Sequence, residues 1–510
     1  MTEKFYVTTA IDYVNGRPHM GHAMEKVGAD VLIRSRRARG YDTWLVLGAD
    51  EHSISVRQEA AERGQTPEEF TDAMEEIWKH FWHRFQIDFS AFVRSSSDAN
   101  RATTDEFMRR LHDAGHIYKS TYAGWYCTSC EQFYPEEELN PDGTCREHPH
   151  LKAQWVEEEN YFFRASTFEP QVRALLERPD FLQPEERRNE MLQAIKEGLR
   201  DVSISRTFTD WGFPLPFDPQ QVIYVWFDAL LCYVTGIGFG DDKERFERFW
   251  PCDVHVIGKG ITRFHTLMWP AMLLAAGVEL PRRVYSHGYI TMGGEKMSKS
   301  RGLFFDPAQL VDVFGSDGAR YVMARMFPFG RDTDFELEAC VDRFNADLAN
   351  DFGNLANRAL SLIGRYREGV VGQRTPEPPD LRLAEIVEAT TSAIDRFAFD
   401  EALKEAWRLV VWANKHIDEN APWQLAKNPA DNAALDAVLY RAVEVLRLLT
   451  HLLGPYIPAA CAELARRLGG DAAGTWEAAT AWGGIQPGTR VESGPPLFPR
   501  LDKAAVLAGD

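Results

Sequence analysis

Two histidines stand beside a glycine near the start of the chain, in the segment Pro18-His19-Met20-Gly21-His22. A helical pattern begins with Met20, so these histidines fall at a predicted helix N-terminus. A helix N-terminus presents free N–H groups and a partial positive charge, and two imidazoles there could add hydrogen bonds to a bound phosphate. Gly21 could let a flat base approach the backbone. Because two histidines near a glycine are commonly incidental, this motif alone does not establish phosphate chemistry.

A second candidate for phosphate chemistry is the segment Lys296-Met297-Ser298-Lys299-Ser300, which glycines flank on both sides. Flanking glycines predict a mobile loop. The ammonium groups of Lys296 and Lys299 could close on a triphosphate and stabilise the charge that develops on a pyrophosphate leaving group. A lysine-rich loop by itself is normally solvent-facing, and it is the pairing with the histidine motif that favours a nucleotide site.

A metal site is indicated by Cys127 and Cys130, followed after fourteen residues by Cys145 and His148. Two close pairs joined by a loop can place four ligands tetrahedrally around zinc, and four protein ligands leave no open position, so this zinc would be structural. His150 is an alternative fourth ligand. Four further cysteines are predicted to be small buried hydrophobes: Cys232, Cys252, Cys340 and Cys461.

Composition is that of a globular protein with several domains. The 510 residues are 45% hydrophobic and 26% charged, and at roughly 150 residues per domain this length predicts about three domains. Neither a membrane span nor a secretory signal is indicated, so we predict a cytoplasmic location and no membrane partner. The net charge of -19 argues against bulk attraction to nucleic acid. It allows local basic patches such as Arg34, Arg36, Arg37 and Arg39.

The elements that must position these motifs alternate along the chain. Four apolar runs read as strands: 4–10, 43–50, 253–258 and 283–291. Helical patterns begin at Met20 and cover 263–277, and alternating strands and helices predict an α/β fold with a parallel sheet. Ligands bind beyond the carboxyl ends of the strands in such sheets, so the histidine motif and Asp50 should lie near each other.

Two other regions break this alternation. Residues 116–206 begin as a Cys-, Pro- and Glu-rich segment, which we interpret as an inserted domain. From about 346 onward the pattern is almost wholly helical and predicts a C-terminal helical bundle. After Asp431 as a possible cap, one helix carries an apolar stripe: Leu435, Leu439, Ala442, Val445, Leu446 and Leu449.

The motifs resemble those of class I aminoacyl-tRNA synthetases, whose HIGH and KMSKS signatures match HMGH and KMSKS here in the same order. Further segments resemble methionyl-tRNA synthetase: YVNGRPHMGH, GADEH, YVWFDAL, GKGITRFHTLMWPAML, GEKMSKSRG, FPFGRDTDF and APW. The resemblance covers essentially the whole chain and implies a Rossmann-like catalytic domain, a zinc-containing insertion and an α-helical anticodon-binding bundle. The implied segments are the catalytic domain in two halves (1–115 and 207–289), the insertion (116–206), the KMSKS loop and stem-contact region (290–345) and the anticodon-binding domain (346–510).

The resemblance also implies roles for individual residues. His19, Gly21, His22, Lys296 and Lys299 would bind ATP, and the histidines and lysines would be catalytic. Asp50 would hold the substrate ammonium. The remaining positions implied for amino-acid binding are Ile11, Tyr13, Arg206, Trp226, Tyr233, His265 and Trp269, several of them aromatic, as suits a polarizable thioether. For Ile11 and Trp269, ordinary core packing is the alternative.

Two further sites follow from the same resemblance. Asn354, Arg358 and Trp423 match the family's anticodon readers, and Arg and Trp suit unpaired bases; a generic helix surface with one buried Trp is the alternative. The resemblance favours His148 over His150, so that one zinc would be held by Cys127, Cys130, Cys145 and His148.

The implied reaction is attack of the methionine carboxylate on the α-phosphate of ATP, with Mg²⁺ on the phosphates, followed by transfer from methionyl-adenylate to tRNA(Met). Four residues depart from the common family pattern: Asp12, Ser53, Gly260 and Leu303. Gly260 replaces a frequent aspartate that would lie near Arg206. The alternatives are a ligase that transfers an aminoacyl group to a small molecule and a silent tRNA-binding module. We expect a monomer, because the appended domain that dimerises some relatives is not seen.

Overall fold

The computed structural model describes residues 2–128, 132–146, 149, 151–207, 209–297, 304–470 and 474–508, with backbone only for Tyr122, Gln132 and Lys296. The predictions for Cys130, His148, His150, Lys299 and Leu303, and for the side chain of Lys296, therefore fall outside what is described.

The first part of the chain alternates strands and helices, as the apolar pattern predicts. Its elements are β1 (Lys4–Tyr13), α1 (Met20–Ala38), β2 (Asp42–Asp50), α2 (Ile54–Glu62), α3 (Pro67–Arg84), β3 (Ala91–Arg94) and α4 (Asp98–Asp113). The strand predicted over 4–10 continues to Tyr13. Its residues from Phe5 to Asp12 are all buried, because helices pack against both faces of a parallel sheet.

The segment predicted as an insertion is richer in antiparallel strands. Its elements are β4 (Ile117–Cys127), β5 (Gln132–Tyr134), β6 (Gln154–Phe163), α5 (Glu169–Glu177), β7 (Leu182–Gln183), α6 (Glu185–Ala194), β8 (Val202–Ser203) and β9 (Ser205–Arg206). Among the described residues β5, β4, β6 and β8 form one antiparallel sheet in that order.

The alternating pattern then resumes. The elements are β10 (Pro214–Leu215), β11 (Asp218–Ile223), α7 (Val225–Thr235), α8 (Lys243–Phe249), β12 (Val254–Gly258), a π-helical turn (Phe264–Met268), α9 (Trp269–Ala276), β13 (Val284–His287), β14 (Ile290–Met292), β15 (Glu295–Lys296), α10 (Pro307–Met326), β16 (Thr333–Asp334) and α11 (Leu337–Arg343). The predicted strand 283–291 is thus two strands. The break falls at Gly288, where a Cβ would lie 2.2 Å from the carbonyl carbon of Arg331.

Within the described residues, the central sheet has the order β3-β2-β1-β12-β13-β7 and is parallel throughout. The predicted parallel α/β fold is confirmed. Tyr13 pairs with Asp50 in the register of β1 and β2, so the carboxyl ends of these strands lie together, as predicted. β7 comes from within the predicted insertion yet lies at the edge of this sheet, and the exact domain boundaries stay predictions.

The rest of the chain is helical, as predicted. A π-helical stretch (Phe344–Gly353) leads into α12 (Asn354–Arg367), α13 (Leu383–Asp395), α14 (Phe399–Asn420), α15 (Pro422–Leu425), α16 (Asn432–Leu453), α17 (Pro458–Arg467), α18 (Trp476–Thr480) and α19 (Lys503–Ala508). The predicted apolar stripe of α16 is buried. Asp431 occupies the N-cap position of this helix, as predicted, but its side chain makes no capping hydrogen bond. The side chain of Asn428 caps the preceding 3-10 turn.

A buried arginine joins α1 to the bundle. Arg320 of α10 pairs with Asp30 of α1 at 2.6 Å, with both side chains fully buried. The same guanidinium donates to the carbonyl oxygens of Pro455 (2.6 Å) and Phe85 (3.0 Å). A buried charge left unpaired is costly. These contacts therefore fix α1 relative to α10, to Phe85 at the end of α3 and to Pro455 of the bundle.

The basic run at the end of α1 is neutralised. Arg36 and Arg39 pair with Asp395 of α13, and Arg34 and Arg37 pair with Asp30 and Asp88. These arginines therefore link structural elements and do not form a patch of unpaired cations. No helix in the described ranges has the length and apolar character needed to cross a membrane.

Candidate active site

The two motif histidines cap the helix that they begin. The amide of His22 donates to Nδ1 of His19 (3.3 Å), and the amide of His19 donates to Nδ1 of His22 (3.2 Å). Because both Nδ1 atoms accept, each ring carries its proton on Nε2. The rings stack with centroids 3.5 Å apart. The predicted helix N-terminus is confirmed, and two imidazole N–H donors accompany it.

A charged cluster that sequence reasoning missed lies beneath this motif. Lys26 is fully buried and contacts carboxylate oxygens of Asp12 and Glu25. Asp12 Oδ1 lies 3.6 Å from His22 Nε2. Burial raises the pKa of Asp12 to about 7 against the pull of Lys26. Burial also acts to raise the pKa of Glu25, but Lys26 and His287 outweigh it and hold this pKa at about 2. The one sequence signal was an adjacent Glu–Lys pair in the first half of a helix whose other charged residues come later.

The proposed amino-acid pocket lies where β1 and β2 end. The Asp50 carboxylate is 1% exposed there, opposite Tyr13. Tyr13 meets Trp226 of α7 edge to face (6.1 Å between centroids), and Trp226 stacks on Phe264 at 3.9 Å. A carboxylate next to such rings can bind an ammonium group while the rings face an apolar side chain.

A hydrogen-bond chain fixes the back of the pocket. His265 Nδ1 donates to the carbonyl oxygen of Ile261 (3.1 Å), so its Nε2 accepts from the Tyr233 hydroxyl (2.7 Å). Burial lowers the pKa of His265 to about 4, which keeps this ring neutral at pH 7. The π-helical turn from Phe264 to Met268 presents His265 to Tyr233.

Acid should destabilise the protein partly through His265. The unfolded chain would bind a proton at this residue near pH 6.5, whereas folded His265 binds one only near pH 4. The free energy of unfolding therefore falls as pH drops, by about 2 kcal/mol from this group between pH 7.5 and 5. Thermal unfolding of wild type and H265Q at both pH values measures the difference. Equal losses in the two proteins would contradict this assignment.

The other predicted pocket residues are also buried. Trp269 is fully buried, and its indole donates to Nε2 of His255 at 3.1 Å. Ile11 is 8% exposed. Arg206 donates to the carbonyl oxygen of Ser205 (2.7 Å) and lies over the Tyr224 ring at 4.3 Å.

Two departures from the family pattern have a physical reason. A Cβ at Gly260 would lie 2.5 Å from the Tyr289 hydroxyl, so an aspartate at this position would require the Tyr289 side chain to move. Ser53 caps α2, since its hydroxyl accepts from the amide of Val56 at 3.1 Å.

Two motif segments meet through a pair that sequence reasoning also missed. His52, from GADEH, contacts Asp228, from YVWFDAL, at 2.5 Å, and both are buried. Asn100 of α4 donates to the Asp228 carbonyl oxygen at 3.0 Å. The pair fixes the segment after Asp50 against α7, which carries Trp226 and Tyr233.

The lysine loop begins at a two-stranded hairpin. β14 and β15 turn at Gly293 (φ 61°) and Gly294 (φ 77°), a left-handed backbone that favours glycine. Asp334 accepts from the Thr291 hydroxyl (2.7 Å) and from the amide of Gly294 (3.0 Å). The hairpin thereby positions the backbone of Lys296.

The candidate metal ligands are described only in part. Cys127 ends β4, and both Cys127 and Cys145 are 1% exposed. Within the described ranges no cluster of three or more His, Cys, Asp or Glu residues is arranged to hold a metal. The four cysteines predicted as buried hydrophobes, from Cys232 to Cys461, are buried.

The predicted anticodon readers lie on the helical bundle. Asn354 and Arg358 stand one turn apart on α12, and Arg358 pairs with Asp418 of α14. Trp423 is 40% exposed, which disfavours the alternative of a buried core Trp. An exposed indole offers a stacking face to an unpaired base.

Comparison with known proteins accounts for both halves of the molecule. The family model for class I tRNA synthetases (M) matches residues 5–154 and 145–360, and that for the anticodon-binding domain of methionyl tRNA ligase matches 377–506. The methionine–tRNA ligase of Caldanaerobacter subterraneus is 41% identical over all of this chain and 80% of its own length. That of Thermotoga maritima is 40% identical over 98% of this chain and 80% of its own.

Comparison with solved structures points to the same family as the comparison of sequences. Mycobacterium tuberculosis methionyl-tRNA synthetase in complex with methionyl-adenylate has a TM-score of 0.93 and 38% identity, covering 98% of this chain and all of that one. The free-state structure of that synthetase has a TM-score of 0.85 and 36% identity, and the match covers 98% of this chain and 99% of that one. The chain belongs to the methionyl-tRNA synthetase family of class I aminoacyl-tRNA synthetases.

Proposed function

We propose that this protein attaches methionine to tRNA(Met) with ATP, through a methionyl-adenylate intermediate. The observation that supports this most is the meeting of Asp50, the aromatic residues and the histidine motif at the carboxyl ends of β1 and β2. A chain of the same fold over 98% of this one has been solved with methionyl-adenylate.

ATP binds at the start of α1 in this proposal. The Nε2–H groups of His19 and His22 donate to its phosphates, and Gly21 gives room to the base. Lys296 and Lys299 stabilise the charge on the departing pyrophosphate. The chain supplies no nucleophile, because the methionine carboxylate itself attacks the α-phosphate. Mg²⁺ would accompany ATP and neutralise its phosphates.

Methionine binds with its ammonium on Asp50 and its thioether among aromatic rings. The residues proposed around it are Ile11, Tyr13, Arg206, Trp226, Tyr233, His265 and Trp269. Trp226 and Tyr13 lie in contact with each other. The Trp269 indole is already engaged by His255, and Nη1 of Arg206 by the carbonyl oxygen of Ser205. The Tyr233–His265 bond holds the tyrosine ring in place.

Transfer to tRNA requires the C-terminal helical bundle in this proposal. Asn354, Arg358 and Trp423 are proposed to read the anticodon, with Arg358 leaving Asp418 to do so. The Arg320–Asp30 pair provides a rigid connection between this bundle and α1. A ligase that serves a small molecule would have no use for an exposed stacking residue on the bundle, which is why we favour tRNA.

A structural zinc is proposed at Cys127, Cys130, Cys145 and His148. Thiolates suit zinc, and two of these thiols are buried in the described part of the chain. The purified protein should contain one zinc per chain, and C127S should lose it, as measured by elemental analysis. The matched variant C461S, at a buried cysteine of the bundle, should keep its zinc. A metal-free wild type, or a zinc-loaded C127S, would contradict the site.

Pyrophosphate exchange with ATP, measured with each of the twenty amino acids, tests the first step. Methionine alone should support exchange. Exchange with a different amino acid would replace the proposed substrate, and exchange without tRNA charging would favour the small-molecule ligase. Cytoplasmic location and a monomeric state also stay predictions, and light scattering should give a mass near 58.0 kDa.

A further inference from the structure

Four titratable side chains form one cluster under the histidine motif, each at most 5% exposed: Asp12, Glu25, Lys26 and His287. Asp12 comes from β1, Glu25 and Lys26 from α1, and His287 from the last position of β13. The cluster therefore joins β1 and β13 to the helix that presents His19 and His22.

The hydrogen bonds of Glu25 show that its carboxylate is ionised. Its Oε1 accepts from the Lys26 ammonium (2.7 Å) and from the amide of Ala10 (3.0 Å), and its Oε2 lies 2.9 Å from Nε2 of His287. A carboxylate that accepts from an ammonium and an amide is stabilised in its charged form, in agreement with its pKa of about 2.

The partners of His287 determine its protonation. Its Nδ1 lies 2.7 Å from the carbonyl oxygen of Gly288, and its Nε2 faces the ionised Glu25. Both partners can only accept a hydrogen bond, so both ring nitrogens must donate. His287 is thus an imidazolium, buried under the ring of Phe329, whose centroid lies 5.4 Å away.

His287 also stands at the base of the lysine loop. Gly288 follows it, packed against the backbone of Arg331, and its amide donates to the Phe329 carbonyl oxygen at 3.0 Å. The hairpin of β14 and β15 then leads to Lys296. We propose that His287 is a positioning residue: a buried imidazolium that ties the base of the β14–β15 hairpin to α1 and so fixes this hairpin relative to His19 and His22.

This inference rests on the proposed nucleotide site. The position of the hairpin relative to α1 matters only if the histidine motif and the lysine segment act on the same phosphates. Groups that stabilise a transition state must be held in place, and a displacement of about 1 Å can cost a hundredfold in rate. The charge state of His287 can be measured without reference to that function.

Nitrogen NMR of histidine-labelled protein at pH 7.5 tests the imidazolium directly. The signals that disappear in H287Q belong to His287, and in wild type they should show protons on both ring nitrogens. E25Q should return the ring to the neutral form, because the acceptor then carries no charge. A neutral His287 in wild type would overturn the proposal whatever the activity.

Pyrophosphate exchange tests the positioning role. H287Q keeps a donor towards Glu25 but no charge, so kcat should fall about tenfold to a hundredfold while KM for methionine stays near the wild-type value. H416Q makes the same substitution at a histidine of the bundle that is 9% exposed, and it should keep both constants. If wild type shows an imidazolium at His287 but H287Q keeps the full kcat, the positioning role is overturned. If wild type shows no exchange at all, the proposed function is refuted and the NMR result still stands.

Discussion

Replacing Asp50 with asparagine should lower kcat/KM for methionine in pyrophosphate exchange by about a hundredfold or more. The carboxylate is 1% exposed at the end of β2, and the amide that replaces it has the same shape without the charge. The substrate ammonium would then enter a buried site without its counter-charge. KM for ATP should change little, because ATP is proposed to bind at α1.

Asp253 offers a matched control for this substitution. It is also a buried aspartate of the central-sheet region, next to β12, and it pairs with Lys4 at 2.8 Å and Arg282 at 3.0 Å. D253N should lower stability but leave kcat/KM for methionine close to wild type. A D50N protein that is folded and fully active would remove Asp50 from the substrate site.

Replacing Trp423 with alanine should impair the transfer of methionine to tRNA without affecting the activation of methionine by ATP. Stacking of a base on an aromatic side chain is worth about 1–3 kcal/mol, so kcat/KM for tRNA(Met) should fall about tenfold to a hundredfold. Pyrophosphate exchange should be unchanged, since Trp423 lies on α15 of the helical bundle and not among the residues of the proposed ATP and methionine sites. Charging assays with variable tRNA concentration measure the effect.

Val411 on α14 supplies the control for Trp423. It is 59% exposed and apolar, and V411A should alter neither exchange nor charging. Equal charging by W423A and wild type would mean that the exposed indole does not read the anticodon.

The histidine motif shows what a local pattern can predict. His19 and His22 follow an apolar run and precede a helical period, and they cap α1 as the pattern implies. The same reasoning places Asp50 beside the motif, because strand ends of a parallel sheet meet at one edge. These inferences depend on neighbours in sequence and on one general property of sheets.

The buried cluster shows where such reasoning ends. Glu25 and Lys26 read as ordinary charged residues of a helix, and their partners Asp12 and His287 lie 13 to 262 residues away in sequence. A pairing of that kind depends on the tertiary register of β1, α1 and β13, which no local pattern contains. Gly260 is similar: its lack of a side chain has a reason only once Tyr289 is seen beside it.

Charging of a tRNA(Met) transcript with methionine, compared with the same transcript carrying a changed anticodon, tests the proposed function most directly. The function predicts methionine-dependent charging of the first and a large loss with the second. Methionine-dependent pyrophosphate exchange with no charging of either transcript would contradict it and leave an amino-acid-activating ligase with another acceptor.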